Sequence, residues 1–118
     1  MTKKLLVALP LLCSLAAVNE ASAGSDVYNT TITAISIDKQ YGNFAFIKLA
    51  NNPTGSPSCA TLINSWTYTL PLANPGDREI YAALLTAFAA GLTVSMSGTF
   101  VCSEHGFVES LQSFHVVK

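Results

Sequence analysis

A basic start, an apolar run and a small-residue close constrain this chain more than any other feature. Lys3 and Lys4 precede an apolar stretch from Leu5 to Val18, and Ala21-Ser22-Ala23 ends it. That layout is the one a secretory leader uses, so residues 1–23 are expected to be a cleaved signal peptide and residues 24–118 a single mature domain beginning at Gly24. The remaining 95 residues can build one small core, burying about 60 to 65% of the surface that the unfolded chain exposes. A multidomain enzyme is excluded. The apolar run contains Pro10 and falls short of the roughly 20 residues that a spanning helix needs, and no second run follows, so no membrane span is expected. Leu12 stands before Cys13, where a lipidation motif has a small residue. The expected localisation is therefore export, either secreted or periplasmic.

Beyond position 23 the chain keeps four basic residues, Lys39, Lys48, Arg78 and Lys118, against six acidic ones, Asp26, Asp38, Asp77, Glu79, Glu104 and Glu109, for a net charge of −2. Such a surface has no general attraction for phosphate backbones or anionic lipid. Once the leader is gone only Cys59 and Cys102 remain, and an even pair in a small exported domain is expected to close a disulfide.

The elements are marked by spacing. Val27 to Asp38 is dense in Thr and Ile and predicts a strand, Asp38 to Asn43 has turn chemistry, and Phe44 to Ala50 resumes an extended apolar pattern. A loop rich in Pro, Asn and Ser leads to Cys59, and Trp66, Tyr68 and Leu70 then alternate with threonines along a third strand, Ser65 to Leu70. Asn74 as N-cap, Pro75 at the first helical position and Gly91 as C-cap frame a helix. Its apolar face runs through Ile80, Ala83, Leu84, Ala87 and Phe88, and a helix this apolar is expected to be mostly buried. Leu92 to Cys102 predicts a fourth strand, and Phe107 to Val117 a fifth with Phe114, Val116 and Val117 in the core. The order β-β-β-α-β-β predicts a mainly β domain with one helix: an OB-fold-like five-stranded Greek-key barrel. An open sheet with one helix packed across it is the alternative architecture.

Trp66, Tyr81 in the alanine-rich helix, Gly91 followed by Val94, and Cys102 after the fourth strand together resemble the binding (B) subunits of subtilase cytotoxin and related pertussis-like AB5 toxins. The resemblance spans about Tyr28 to Cys102. It implies a secreted OB-fold that assembles as a homopentamer, meets a companion A subunit and binds a cell-surface glycan. The toxin subunits carry further cysteines and a longer aromatic segment after the fourth strand, so their bridge pattern does not transfer. A serine near the start of their first strand helps to hold the sugar, and its place here falls at Asn29. Tyr28, Asn29, Thr30 and Thr31 supply an aromatic face beside hydroxyl and amide groups, which makes them the candidate ligand-binding residues.

Other chemistries find less support. His105 and His115 are the only imidazoles, and neither adjoins a nucleophile motif, so the chain is read as non-enzymatic. Glu104, His105 and Glu109 lack metal-ligand spacing, so neither metal nor cofactor is expected. The use most often associated with an OB-fold is nucleic-acid binding, which needs a basic groove with stacking platforms. Here four basic residues and an export leader exclude it, and Trp66, Phe44 and Phe46 are read as core. The alternative function is a monomeric periplasmic or secreted interaction domain with a protein partner and no sugar site.

Overall fold

The structure, a computed structural model, describes residues 25–117. The leader, Cys13, the start at Gly24 and Lys118 lie outside the described residues. Six strands and one helix follow in the order β1 (Asp26–Thr30), β2 (Ile32–Ile37), β3 (Phe44–Leu49), β4 (Tyr68–Pro71), α1 (Pro75–Ala90), β5 (Thr93–Gly98) and β6 (Glu109–Val117). They form one sheet of order β1-β5-β6-β4-β3-β2, antiparallel except between β4 and β6.

The expected count of five strands is corrected to six, because the segment read as one first strand breaks at Thr31. Asn29 adopts φ 52, a left-handed conformation that Asn tolerates better than most residues. The ladder between β1 and β5 loses register between Val27 and Thr30 there. An extra residue in one strand bends it and shifts the alternation of side chains, so Tyr28 and Asn29 both face solvent while Val27 and Thr30 turn inward. One bent segment thus serves both ends of the sheet, β1 pairing with β5 and β2 with β3. This curls the sheet into an OB-fold-like barrel with the helix between its third and fourth barrel strands.

The barrel interior holds Val27, Ile47, Leu49, Tyr68, Val94 and Met96. β3 is buried on both sides. Ala45, Ile47 and Leu49 alternate with Phe44 and Phe46, and the two phenylalanines form a second small core with Val108, against which Trp66 packs.

Helix α1 has its expected bounds. Gly91 sits at φ 63 and its N–H and that of Leu92 satisfy carbonyls of the last turn. Asn74 has the extended backbone of an N-cap, but its side chain makes no capping hydrogen bond. The burial expectation is corrected as well. Only Leu84 and Ala87 are buried, whereas Leu85 and Phe88 are 40% and 41% exposed. The helix packs mainly on β2 and β4, so one narrow stripe is covered. In β6 the core lies earlier than expected: Leu111 is buried and Phe114 packs against the core, but Val116 is exposed.

Candidate functional site

Phe46 of β3 forms the floor of a cleft of about 210 Å³, lined besides by Ser36, Asp38, Tyr41, Leu62, Trp66 and His105. Tyr41 comes from the β2–β3 turn, Leu62 and Trp66 from the turns ahead of β4, and His105 from the β5–β6 connection. Phe46 stands at the centre, with ring centroids 5.3 Å from Trp66, 5.4 Å from His105 and 5.7 Å from Tyr41. The contacts with His105 and Tyr41 are edge-to-face and that with Trp66 is tilted, and such contacts orient rings as well as bury them.

The walls are tied to each other. The Leu62 N–H donates to the Phe107 carbonyl at 3.2 Å and the Trp66 N–H to the Leu62 carbonyl at 2.8 Å. The expected disulfide is present: Cys59 and Cys102, 43 residues apart, are bonded with Cα atoms 6.3 Å apart. It joins the loop carrying Leu62 and Trp66 to the connection carrying His105.

The cleft has a polar rim. One oxygen of Asp38 accepts the Gln40 N–H at 2.9 Å, leaving Oδ2 for the cleft. Nδ1 of His105 accepts the Phe107 N–H at 3.3 Å, so in the neutral ring Nε2 carries the proton. Ser36 and Tyr41 add hydroxyls.

A second, more polar cleft of about 120 Å³ lies on the face of β1, β5 and β6, lined by Asp26, Tyr28, Ser95, Met96, Ser97, Ser113 and His115. Cross-strand pairing assembles it, because Asp26 opposes Ser97, Ser97 opposes Ser113 and Ser95 opposes His115. Ser97 and Ser113 share a hydroxyl hydrogen bond.

The four candidate ligand-binding residues part company in the structure. Tyr28 lines this second cleft with its side chain 70% exposed. Asn29 is exposed, and its backbone N–H donates to Ser95 Oγ at 3.2 Å. Thr30 is buried and committed to Asn51, donating to Oδ1 at 2.9 Å and accepting the Asn51 N–H at 3.3 Å. Thr31 is the exposed link between β1 and β2, its carbonyl accepting the Ala50 N–H at 2.9 Å. The structure adds Asp26, Ser97, Ser113 and His115 to Tyr28, and sets Tyr41, Asp38 and His105 around Trp66. A sequence signal for the larger cleft existed in the aromatic and ionisable residues placed in turns, Asp38, Tyr41 and His105, where core packing is a poor explanation.

Glu104 and Glu109 point to different tasks. Glu104 accepts the hydroxyls of Thr69, at 3.0 Å, and of Ser110, whereas Glu109 is buried beneath Ser25. Among the described residues no group of three His, Cys, Asp or Glu stands together as a metal set, and no helix is long and apolar enough to cross a membrane. Burial pushes the Tyr68 hydroxyl well above the ordinary tyrosine range, so it serves as a hydrogen-bond donor in the core.

Compared with known proteins, the chain matches no family model, no curated protein and no solved structure.

Proposed function

We propose that this chain is a secreted, non-enzymatic glycan-binding protein, similar to the B subunit of an AB5-type toxin. The observation that carries the reading is the aromatic cleft between the β2–β3 turn and the β5–β6 connection. These are the two loops that border the oligosaccharide-binding face of OB-folds. A pyranose has an apolar face of C–H groups and a rim of hydroxyls. Trp66 and Tyr41 offer rings to the first, while the Asp38 carboxylate, the His105 N–H and Ser36 answer the second. The cleft volume suits one monosaccharide unit, which is the scale of a weak site strengthened by multivalency.

The Tyr28 cleft is a second seat for the same ligand class, favoured by the exposure of the Tyr28 ring beside Asp26 and the paired serines. A glycan array probed with the exported protein tests both. Trp66→Ala is expected to weaken binding at least tenfold if the sugar sits in the aromatic cleft, and Tyr28→Ala to do so if it sits on β1. Failure to bind any glycan would favour the interaction domain with a protein partner.

Assembly is part of the proposal. Leu85, Phe88 and Leu92, each about 40% exposed, leave the outer side of α1 and its C-terminal end apolar, and a homopentamer, the form that would carry a companion A subunit, would cover them. Light scattering across a concentration series is expected to give a pentamer mass, and Phe88→Glu to shift it to monomer. A concentration-independent monomer in the unsubstituted chain would overturn the ring.

A further inference from the structure

The two clefts share a charge pattern. Asp38 is the carboxylate that lines the aromatic cleft and Asp26 the one that lines the cleft on β1, β5 and β6, and among the described residues neither lysine nor arginine lines either. The side chains of Lys48 and Arg78 are held elsewhere, Lys48 by Asn52 and the Ile63 carbonyl and Arg78 by the Leu72 carbonyl. A sugar that carries a carboxylate or a sulfate would enter against a like charge with no cation in the lining to offset it, and such juxtapositions select against the wrong partner. The sign of both clefts suits a ligand that brings a positive charge.

The aromatic cleft adds a second means of holding a cation. The quadrupole of an aromatic ring attracts positive charge out to about 6 Å from the ring centroid. The Trp66 and Tyr41 rings stand 5.3 Å and 5.7 Å from Phe46, so their centroids are at most about 11 Å apart and a cation lodged between them comes within that reach of both. Phe46 beneath them is 4% exposed, which gives the space a dry floor, and the attraction is strongest where the cation loses water. Asp38 lies at the rim of the same space, with Oδ1 fixed by the Gln40 N–H and Oδ2 left to face a ligand. The cleft beside Tyr28 has the carboxylate but only one such ring in its lining.

We propose that the aromatic cleft selects a saccharide bearing a cationic amino group, seated between Trp66 and Tyr41 with its charge against the Asp38 carboxylate. The proposal rests on the glycan reading of this cleft and narrows it from sugars in general to amino sugars whose nitrogen is not acylated. An acyl group removes the charge, and with it both the attraction of the rings and the contact with Asp38. What remains is the C–H face and the hydroxyl hydrogen bonding that any pyranose offers. In its neutral form His105, whose Nδ1 accepts the Phe107 N–H, gives the ligand an N–H and sets no competing positive charge in the cleft.

Trp66 is the only tryptophan of the chain, so its fluorescence reports on this cleft and not on the one beside Tyr28. The purified protein is titrated in mildly alkaline buffer, where an imidazole is neutral, with a glucosamine trisaccharide whose terminal nitrogen is quaternised by three methyl groups, the same trisaccharide N-acetylated, a trisaccharide ending in sialic acid, and tetramethylammonium alone. The trimethylammonium and acetamido groups are similar in bulk and differ in charge. The quaternised sugar is expected to bind about tenfold more tightly than the acetylated one, with the sialylated one weakest. Asp38→Asn keeps an acceptor for the Gln40 N–H in an exposed turn, and is expected to weaken the quaternised sugar about fivefold while leaving the acetylated one unchanged. Acetylated or sialylated sugar bound as tightly as the quaternised one overturns the charge selection and leaves the glycan reading intact. Tetramethylammonium bound as tightly as the quaternised sugar keeps the charge selection and overturns the glycan reading. No response of Trp66 to any of the four overturns both.

Discussion

Reducing the Cys59–Cys102 bridge is expected to lower the melting temperature by on the order of 20 °C. Closing a loop of 43 residues restricts the unfolded chain by about 4 kcal/mol in the loop-entropy model, and a domain of this size loses roughly 4–8 °C per kcal/mol. Marginal stability makes that a large share of the total. Calorimetry with and without reductant measures it, and Cys59→Ser/Cys102→Ser should match the reduced chain. The bridge also has a local task, since it joins the wall that carries Leu62 and Trp66 to the wall that carries His105. Ligand affinity at the aromatic cleft is therefore expected to fall under reducing conditions at temperatures where the domain is still folded. A transition unmoved by reductant would show that the native loops already hold these walls without the bridge.

The bridge and the helix were legible because each is written locally or by count. Two cysteines lie beyond residue 23, and Asn74-Pro75 and Gly91 mark a helix wherever it packs. Even the helix shows where local reading stops. Its periodicity puts Ala83 and Phe88 on the covered face with Leu84, but packing mainly on β2 and β4 leaves both exposed. The break of the first strand was less legible still. Asn29 is an ordinary residue within a β-branched run, and its positive φ follows from the register that β1 must keep with β5. A bulge is a property of two strands, and one strand's sequence carries only permission for it.

The candidate site follows the same division. Phe44 and Phe46 read as core and are core, yet their outer cluster becomes a cleft floor only because Tyr41 and His105, far apart in the chain, meet over Phe46. Tyr28 reads as an aromatic face with polar neighbours in sequence, but the residues that line its cleft are Ser97, Ser113 and His115 across the sheet, not the Thr30 and Thr31 beside it. The burial of Glu109 had no sequence signal at all, since it depends on a glycine in a neighbouring strand and a serine at the other end of the domain.

That glycine carries the second large expected effect: Gly98→Ala should destabilise the domain by about 3 kcal/mol or more. Gly98 is buried and lies directly over Glu109, so a Cβ there would overlap the carboxyl carbon and both oxygens. The carboxylate has nowhere to go. It is held by Ser25 and by the N–H of Phe100, a bulky residue kept at φ 67, a conformation that such residues rarely adopt without support. Moving Glu109 aside would strand the buried Ser25 donors and the part-buried Phe100 N–H, and each orphaned buried group costs about 1–3 kcal/mol. The prediction separates this overlap from a general loss of strand geometry through a double-mutant cycle. In a Glu109→Ala chain the added methyl meets space, and alanine suits a strand better than glycine by roughly 0.5–1 kcal/mol, so Gly98→Ala should there be neutral or slightly stabilising. Denaturant midpoints of the four chains give the coupling, which for residues in direct contact is expected to be large and non-additive. Equal costs in the two backgrounds would mean that Gly98 is required by the bulge between Ser97 and Gly98 itself, and that Glu109 is free to yield.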